Sequence, residues 1–384
     1  MRTASADAPA AAEPGGFRPG GLDAVDAVVE AGVSAKAFPG AVLAVGRDGT
    51  LAHLRAFGRL SYDADAASVA TDTLYDLASL TKVVVTTTLS MILFDEGRLD
   101  LDARVHDWFP AFSGPAKERV TVRQLLTHSG GLLWWAPLYK ELKGKEAYLE
   151  RIVATDLSYE PGTKSVYSDL GIILLGDILE RLGGAPFEEM ARRRVIEPLE
   201  MKDAQYRPPA ALLPRIAPTE NDPWRGRVVR GEVHDENALA LGGVAPHAGL
   251  FATAADLSHL SQMLLDRGSF GGRRIVSRAT VELFTERAGV PGSSRALGWD
   301  TPGDGEGEQS STPGTPGYSS AGSLFSARSF GHTGFTGTSM WMDPERDLYV
   351  ILLTNRVHPT RENNKIAGVR PQVADAVVRA LERP

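Results

Sequence analysis

Ser79 and Lys82 stand three residues apart at the head of the most apolar helical stretch of the chain. Positions three apart share a helix face, so the Ser79 hydroxyl and the Lys82 amine are expected side by side, a nucleophile beside a base. A serine hydroxyl attacks poorly at neutral pH until a neighbour takes its proton. A lysine takes that proton only where burial or nearby cations keep it neutral. The residues that follow, Val83-Val84-Val85 and then Leu89, Met91, Ile92, Leu93 and Phe94, supply the burial, being apolar on nearly every side. The spacing alone is weak evidence. A Ser three before a Lys arises about once by chance in a chain of this composition, and a serine there serves equally well as a helix cap. Lysine is scarce, however, with 9 Lys against 32 Arg, so a lysine at an apolar helix start is not explained by surface solubility.

Two later segments add to the pair. Pro161-Gly162-Thr163-Lys164-Ser165-Val166-Tyr167-Ser168-Asp169 is a turn opening into the apolar helix Ile172 to Gly176, a context in which a loop presents a phenol and a carboxylate to a cleft. Gly331-His332-Thr333-Gly334-Phe335-Thr336-Gly337 runs into the strand-like Thr338 to Met342. Glycines there let a ligand approach strand backbone, which suits an N–H aimed at a developing oxyanion. Read singly, Tyr167 is a half-buried core tyrosine and His332 an edge histidine. Their joint occurrence in this order argues otherwise.

On these motifs the chain resembles the serine hydrolases of the β-lactamase and penicillin-binding-protein superfamily, in the branch of class C β-lactamases, D-alanyl-D-alanine peptidases and related esterases. The Ser-x-x-Lys motif falls on Ser79 and Lys82, Tyr-x-Asn on Tyr167-Ser168-Asp169, and Lys-Thr-Gly on His332-Thr333-Gly334. Leu125-Leu126-Thr127-His128-Ser129-Gly130-Gly131-Leu132 and Leu353-Thr354-Asn355 are similar to further family signatures. The resemblance implies acyl transfer in two steps, with Ser79 as nucleophile, Lys82 and Tyr167 sharing the proton work, Tyr167 with a lowered pKa, and the N–H groups of Ser79 and Phe335 as the oxyanion hole. Which of Lys82 and Tyr167 is the base stays open.

Two departures bear on substrate. His332 stands where many members have lysine, which exchanges a fixed positive charge for one that is weak above the imidazole pKa. Asp169 stands where asparagine is usual, which exchanges a donor amide for an acceptor. Both argue against an efficient β-lactamase. The segments around His234, Asp235, His247 and Arg356 to Arg361 resemble the branch with N-acetylmuramoyl-L-alanine amidases of cell-wall recycling. They are expected to form a second cleft wall, with His234 and Asp235 on substrate and Arg356 or Arg361 on a substrate carboxylate, while Thr333 is expected to meet substrate from the His332 motif. The expected partner is a small ester or amide, a muramyl peptide among the candidates. A general carboxylesterase, a weak β-lactamase or D-alanyl-D-alanine carboxypeptidase, and a non-catalytic sensor module are the alternatives.

The elements that must position these groups are also legible. Leu22, Val25, Val28 and Val29 recur at helical spacing. Hairpin signals lie at Arg47-Asp48-Gly49 and Asp343-Pro344-Glu345-Arg346. Thr253 and Asp256 form a capping box, and a last helix is expected to open at Pro371. Strands at both ends with helices between predict an α/β fold of α+β type, an antiparallel sheet flanked by helices plus a helix-rich lobe. The expected layout is a disordered tail over 1–20 and one catalytic domain over 21–384. Its sheet lobe would comprise 21–75 and 255–384 and its helical lobe 76–254. A Gly/Ser/Pro-rich mobile insertion is expected over 301–323, between a strand at Ala296-Leu297-Gly298-Trp299 and the His332 strand.

A net charge of −7 argues against nucleic acid as a partner. With no cysteine, thiolate metal sites and disulfides are excluded, and serine chemistry needs neither metal nor cofactor. No window reaches the length of a membrane span, and Met1 to Asp7 lacks the apolar core of a signal peptide, so no membrane partner and a cytoplasmic location are expected.

Overall fold

The computed structural model describes residues 13–303 and 319–381. Its centre is a five-stranded antiparallel sheet built from both ends of the chain: β1 (Gly40–Arg47), β2 (Thr50–Gly58), β3 (Phe330–Thr333), β4 (Ser339–Asp343) and β5 (Leu348–Thr354). The order is β3-β4-β5-β1-β2, with Ala41 opposite Thr354 and Arg47 opposite Leu348 where the two ends meet. Asp48 and Gly49 both take positive φ, 50° and 73°, as the two-residue turn that matches strand twist requires.

The helices that matter here are α1 (Gly21–Ser34), α2 (Thr88–Asp95), α3 (Asp169–Gly183), α4 (Glu236–Ala240), α5 (Ala254–Leu265) and α6 (Ile366–Ala380). Successive residues of β1 face opposite sides of the sheet, and each side has its own core. Ala41, Leu43 and Val45 pack with Leu22, Val25 and Val29 of α1 and Val373, Val377 and Val378 of α6. Val42 and Ala44 belong to the larger core on the other face, with Leu257, Leu260 and Met263 of α5 and the apolar residues of α2 and α3. The capping box at Thr253 and Asp256 opens α5 as its sequence signals. A short sheet, with Leu250–Ala252 between Tyr75–Asp76 and Gln205–Tyr206, anchors the segment leading to Ser79.

Three local expectations are corrected. Of the tail expected to be disordered over 1–20, residues 13–20 are ordered: Phe17 is fully buried between α1 and α6 and pairs with Leu381, because one large ring suffices to dock a small-residue segment. Residues 1–12 lie outside the described residues. The last helix begins at Ile366, five residues before Pro371. Arg370 holds that first stretch by donating to Gly334 O at 2.9 Å and Thr338 O at 2.8 Å, tertiary bonds that offset the ladder bond proline cannot make. Ala296 to Trp299 form no strand; only Asp300 pairs, with Gly331. Residues 304–318 of the expected insertion lie outside the described residues, while Ser320 and Ala321 are buried, Ser320 accepting the Trp341 indole N–H at 3.0 Å.

Burial of Phe17 makes a direct test. Phe17→Ala is expected to lower unfolding free energy by about 3–5 kcal/mol in urea titration, the range for a buried aromatic, whereas a free tail would leave stability unmoved.

Candidate active site

The nucleophile segment is set by Asp76, a buried carboxylate whose Oδ1 accepts the Ala78 N–H at 2.8 Å and whose Oδ2 accepts the His234 N–H at 2.6 Å. Ala78 sits at φ 47°, an uncommon conformation for a residue with a Cβ. Ser79 follows it at the start of a helical segment whose Lys82–Thr87 stretch is a wide π turn that continues into α2. Lys82 Nζ reaches Ser79 Oγ at 2.9 Å, His247 O at 2.9 Å and Asp169 Oδ1 at 2.7 Å. Two hydrogen bonds and one ion pair therefore engage the ammonium. Burial drives the Lys82 pKa down, but Asp169 and Tyr167 outweigh it, and the net shift is upward. The neutral lysine expected from burial is therefore corrected: Lys82 rests protonated because Asp169 stands beside it.

Tyr167 is also corrected. Burial raises its pKa, against the opposing pull of Lys82, and leaves a neutral phenol. Its hydroxyl is buried and near Lys82 and Ser79, yet makes no hydrogen bond of good geometry. Its ring packs at 4.5 Å from His128 and 6.0 Å from His332, with Lys82 Nζ 4.9 Å and the Arg295 guanidinium 5.2 Å from its centre. His128 Nδ1 accepts the Ser168 N–H at 3.0 Å, which aims the neighbouring Tyr167 and Asp169.

His332 is 2% exposed, and its Nδ1–H donates to Thr333 O at 2.8 Å. Burial, reinforced by Arg295 and Lys82 and opposed by Asp300, lowers its pKa to about 4. At neutral pH it carries no charge, and its buried Nε2 is an acceptor without a partner among the described residues. The cation on this side is Arg295, which pairs with Asp300 at 2.5 Å. Sequence reasoning missed this pair; the only signal was an Arg five residues before an Asp, which is too common to mark a site.

Gly334 serves packing rather than ligand approach. A Cβ there would lie 2.1 Å from Thr338 Oγ1 and 2.4 Å from Leu77 O. Thr336 Oγ1 donates to Asp76 O at 2.7 Å and Thr338 Oγ1 to Leu77 O at 3.0 Å, so the turn after β3 is stitched to the residues before Ser79. The N–H groups of Ser79 and Phe335 donate to nothing else among the described residues, the condition an oxyanion hole needs.

The β-lactamase family pattern matches residues 25–374. The chain belongs to the β-lactamase family. It is 32% identical over 370 residues to an N-acetylmuramyl-L-alanine amidase of Bacillus subtilis, covering 88% of this chain and 81% of that protein. It is also 32% identical to a putative D-alanyl-D-alanine carboxypeptidase of Escherichia coli, over 84% and 79% of the two chains. A penicillin-binding protein homologue from Caulobacter crescentus shares the fold at 23% identity and a TM-score of 0.73, over 95% of this chain and 99% of that one. The protein is thus a serine hydrolase of this family, with its mixed α/β fold.

Within that family frame, the expected second wall is corrected. Arg356 is 6% exposed, and its guanidinium donates to Phe335 O, Arg361 O, Asn363 O and Asn364 Oδ1 at 2.8, 2.8, 2.9 and 3.3 Å. It supports the Phe335 turn and has no donor directed at a carboxylate. Arg361 is held by Glu220 and Glu236, both at 2.7 Å. His234 Nε2 meets Glu220 Oε2 at 2.9 Å, and Asp235 caps α4 while meeting His247 Nε2 at 3.0 Å. Asp235 thereby orients the residue whose carbonyl holds Lys82. Burial raises the Asp235 pKa, but His247 outweighs it and leaves a net lowering.

Two outcomes follow from the charges. Asp169→Asn removes the larger of the two groups that oppose burial, so the Lys82 pKa falls and the alkaline-rising limb of kcat/KM moves to lower pH; an unmoved limb shows that Lys82 is not the titrating base. For His332 the pKa falls from 6.5 in the unfolded chain to about 4 in the folded one. The unfolded chain then binds more protons between these values, so stability is fully present above 6.5 and is lost as pH falls toward 4. His332→Gln should flatten that slope in urea midpoints by roughly 3 kcal/mol across the window.

Proposed function

We propose that the protein hydrolyses an amide of a cell-wall muramyl peptide, the bond between the lactyl carbonyl of N-acetylmuramic acid and L-alanine, through an acyl-enzyme on Ser79. The reading is carried by a charge arrangement among the described residues: Lys82 and Arg295 each face a carboxylate, and His332 is neutral. Lys82 is balanced by Asp169 and Arg295 by Asp300, while Arg356 and Arg361 are held away. A carboxypeptidase or β-lactamase must grip a carboxylate close to the scissile bond. A muramyl amide presents N–H and hydroxyl donors there instead, which suit the acceptor His332 Nε2. Relatedness to an amidase of that named activity supports the same choice.

In this mechanism the Ser79 oxygen attacks the lactyl carbonyl, and the Ser79 and Phe335 N–H groups hold the oxyanion. The Ser79 proton enters the Lys82–Asp169 pair, with the carboxylate able to take the proton that Lys82 gives up. Tyr167, kept neutral by burial, protonates the leaving nitrogen and regains its proton from Lys82, so the Ser79 proton in effect leaves with L-alanine. Water then enters by the same route and frees the acyl group. Asp235 and His247 act on Lys82 from behind.

The assay is mass spectrometry of N-acetylmuramoyl-L-alanyl-D-isoglutamine after incubation with enzyme. Free N-acetylmuramic acid and dipeptide are expected, and Ser79→Ala should abolish the release with the fold intact by circular dichroism. Ester turnover without any release would favour a general carboxylesterase. Nitrocefin should be a poor substrate for the wild type. Asp169→Asn with His332→Lys should raise its rate relative to p-nitrophenyl acetate, and efficient wild-type turnover of nitrocefin would contradict the charge argument.

A further inference from the structure

Trp134, Trp224 and Phe335 are the three most exposed large hydrophobic side chains among the described residues, at 56%, 49% and 48%. They are not scattered. The Trp134 carbonyl accepts the Asp169 N–H at 3.0 Å, and the Leu133 carbonyl accepts Ser168 Oγ at 2.6 Å, which ties this loop to the residues that follow Tyr167. From Trp134 the rings run through Trp135 at 5.8 Å and Tyr139 at 6.5 Å to Trp224 at 4.7 Å. Beyond Trp224, Arg225 donates to Val233 O at 3.0 Å and His234 O at 3.1 Å, and the His234 ring stacks on Phe335 at 5.7 Å. The arc therefore begins at the partner of Lys82 and ends at the residue with the second free N–H.

We propose that this aromatic rim is a subsite that stacks a pyranose ring of the substrate, a reading that rests on the muramyl amide reading above. The rim is held rigid, as a binding platform must be. Asp222 is buried, accepts the Trp224 N–H at 2.7 Å and pairs with Arg225 at 2.5 Å, while Asn237 of α4 accepts the Tyr139 N–H at 3.0 Å and donates to Ala136 O at 2.9 Å. A main chain held this firmly leaves less to be ordered when a ligand covers the rings it carries. Its chemistry selects the ligand. The faces are aromatic rather than an aliphatic groove, and charged groups flank them: Lys140 Nζ lies 6.0 Å from the Tyr139 ring, and the Arg361–Glu236 pair interacts with the Tyr139 hydroxyl. A sugar offers both halves of the match, C–H faces for the rings and hydroxyls for the charges. An acyl chain offers only the first.

The test has two arms. In kinetics, Trp134→Ala and Trp224→Ala should each lower the ratio of kcat/KM for muramyl dipeptide to that for p-nitrophenyl acetate by about tenfold, the effect of one stacking contact, mainly through KM, with Trp224→Tyr recovering part of it. An unmoved ratio overturns the proposal. In binding, Ser79→Ala protein labelled with 15N at indole nitrogens is titrated with N-acetylmuramic acid alone. The indole signals of Trp134, Trp135 and Trp224 should shift while those of buried Trp299 and Trp341 stay. Silent rim indoles overturn the proposal, even if muramyl dipeptide is cleaved. Shifting rim indoles in a protein that cleaves no muramyl amide uphold the rim and reject the amidase reading instead.

Discussion

A single buried ammonium organises this protein. Lys82 is 2% exposed, and an ion removed from water to that degree is tolerated only where its charge and all its N–H bonds are matched. Its three partners, two hydrogen-bond acceptors and one counter-ion, come from three places: Ser79 from the turn after Asp76, the His247 carbonyl from the loop after α4, and Asp169 from the start of α3. None of these can shift alone without stranding the charge. Residues behind them support their positions. Asp235 holds His247, and Asp76 holds both Ala78 and the main chain of His234.

The sheet meets this cluster through one narrow junction. Gly334 has no side chain, so the turn after β3 lies directly on the Leu77 carbonyl, and Thr336 and Thr338 bond to the same two residues that precede the nucleophile. Arg370 and Arg356 fasten the other side of that turn by donating to its carbonyls. Arg356, expected from its sequence context to meet substrate, thus works with Arg370 as a backbone clamp. The Ser79 and Phe335 N–H groups are fixed relative to each other because the peptide units around both are already committed.

Electrostatics then separates this site from one built for anions. Lys82 and Arg295 each face a carboxylate, and the imidazoles of His128 and His332 are held neutral by burial and by Arg295 and Lys82. On the proposed reading, selectivity around Ser79 rests on hydrogen-bond complementarity and on surfaces farther out, where the exposed aromatic rings stand.

The amino-acid sequence alone determined the paired strands at the two chain ends, the turn at Asp48-Gly49, the cap at Thr253 and the three motif segments around Ser79, Tyr167 and His332. Each is a local pattern: alternation, positive-φ turn residues, a hydroxyl three residues before a carboxylate, or a motif of adjacent side chains. It did not determine what those side chains are bonded to. The protonation of Lys82 and Tyr167, the commitment of Arg356 to four carbonyl or amide oxygens, the Arg295–Asp300 pair and the docking of Phe17 all depend on residues far apart in the chain. Charge state is set by burial and by neighbours within a few ångströms, and only the tertiary structure decides which neighbours those are.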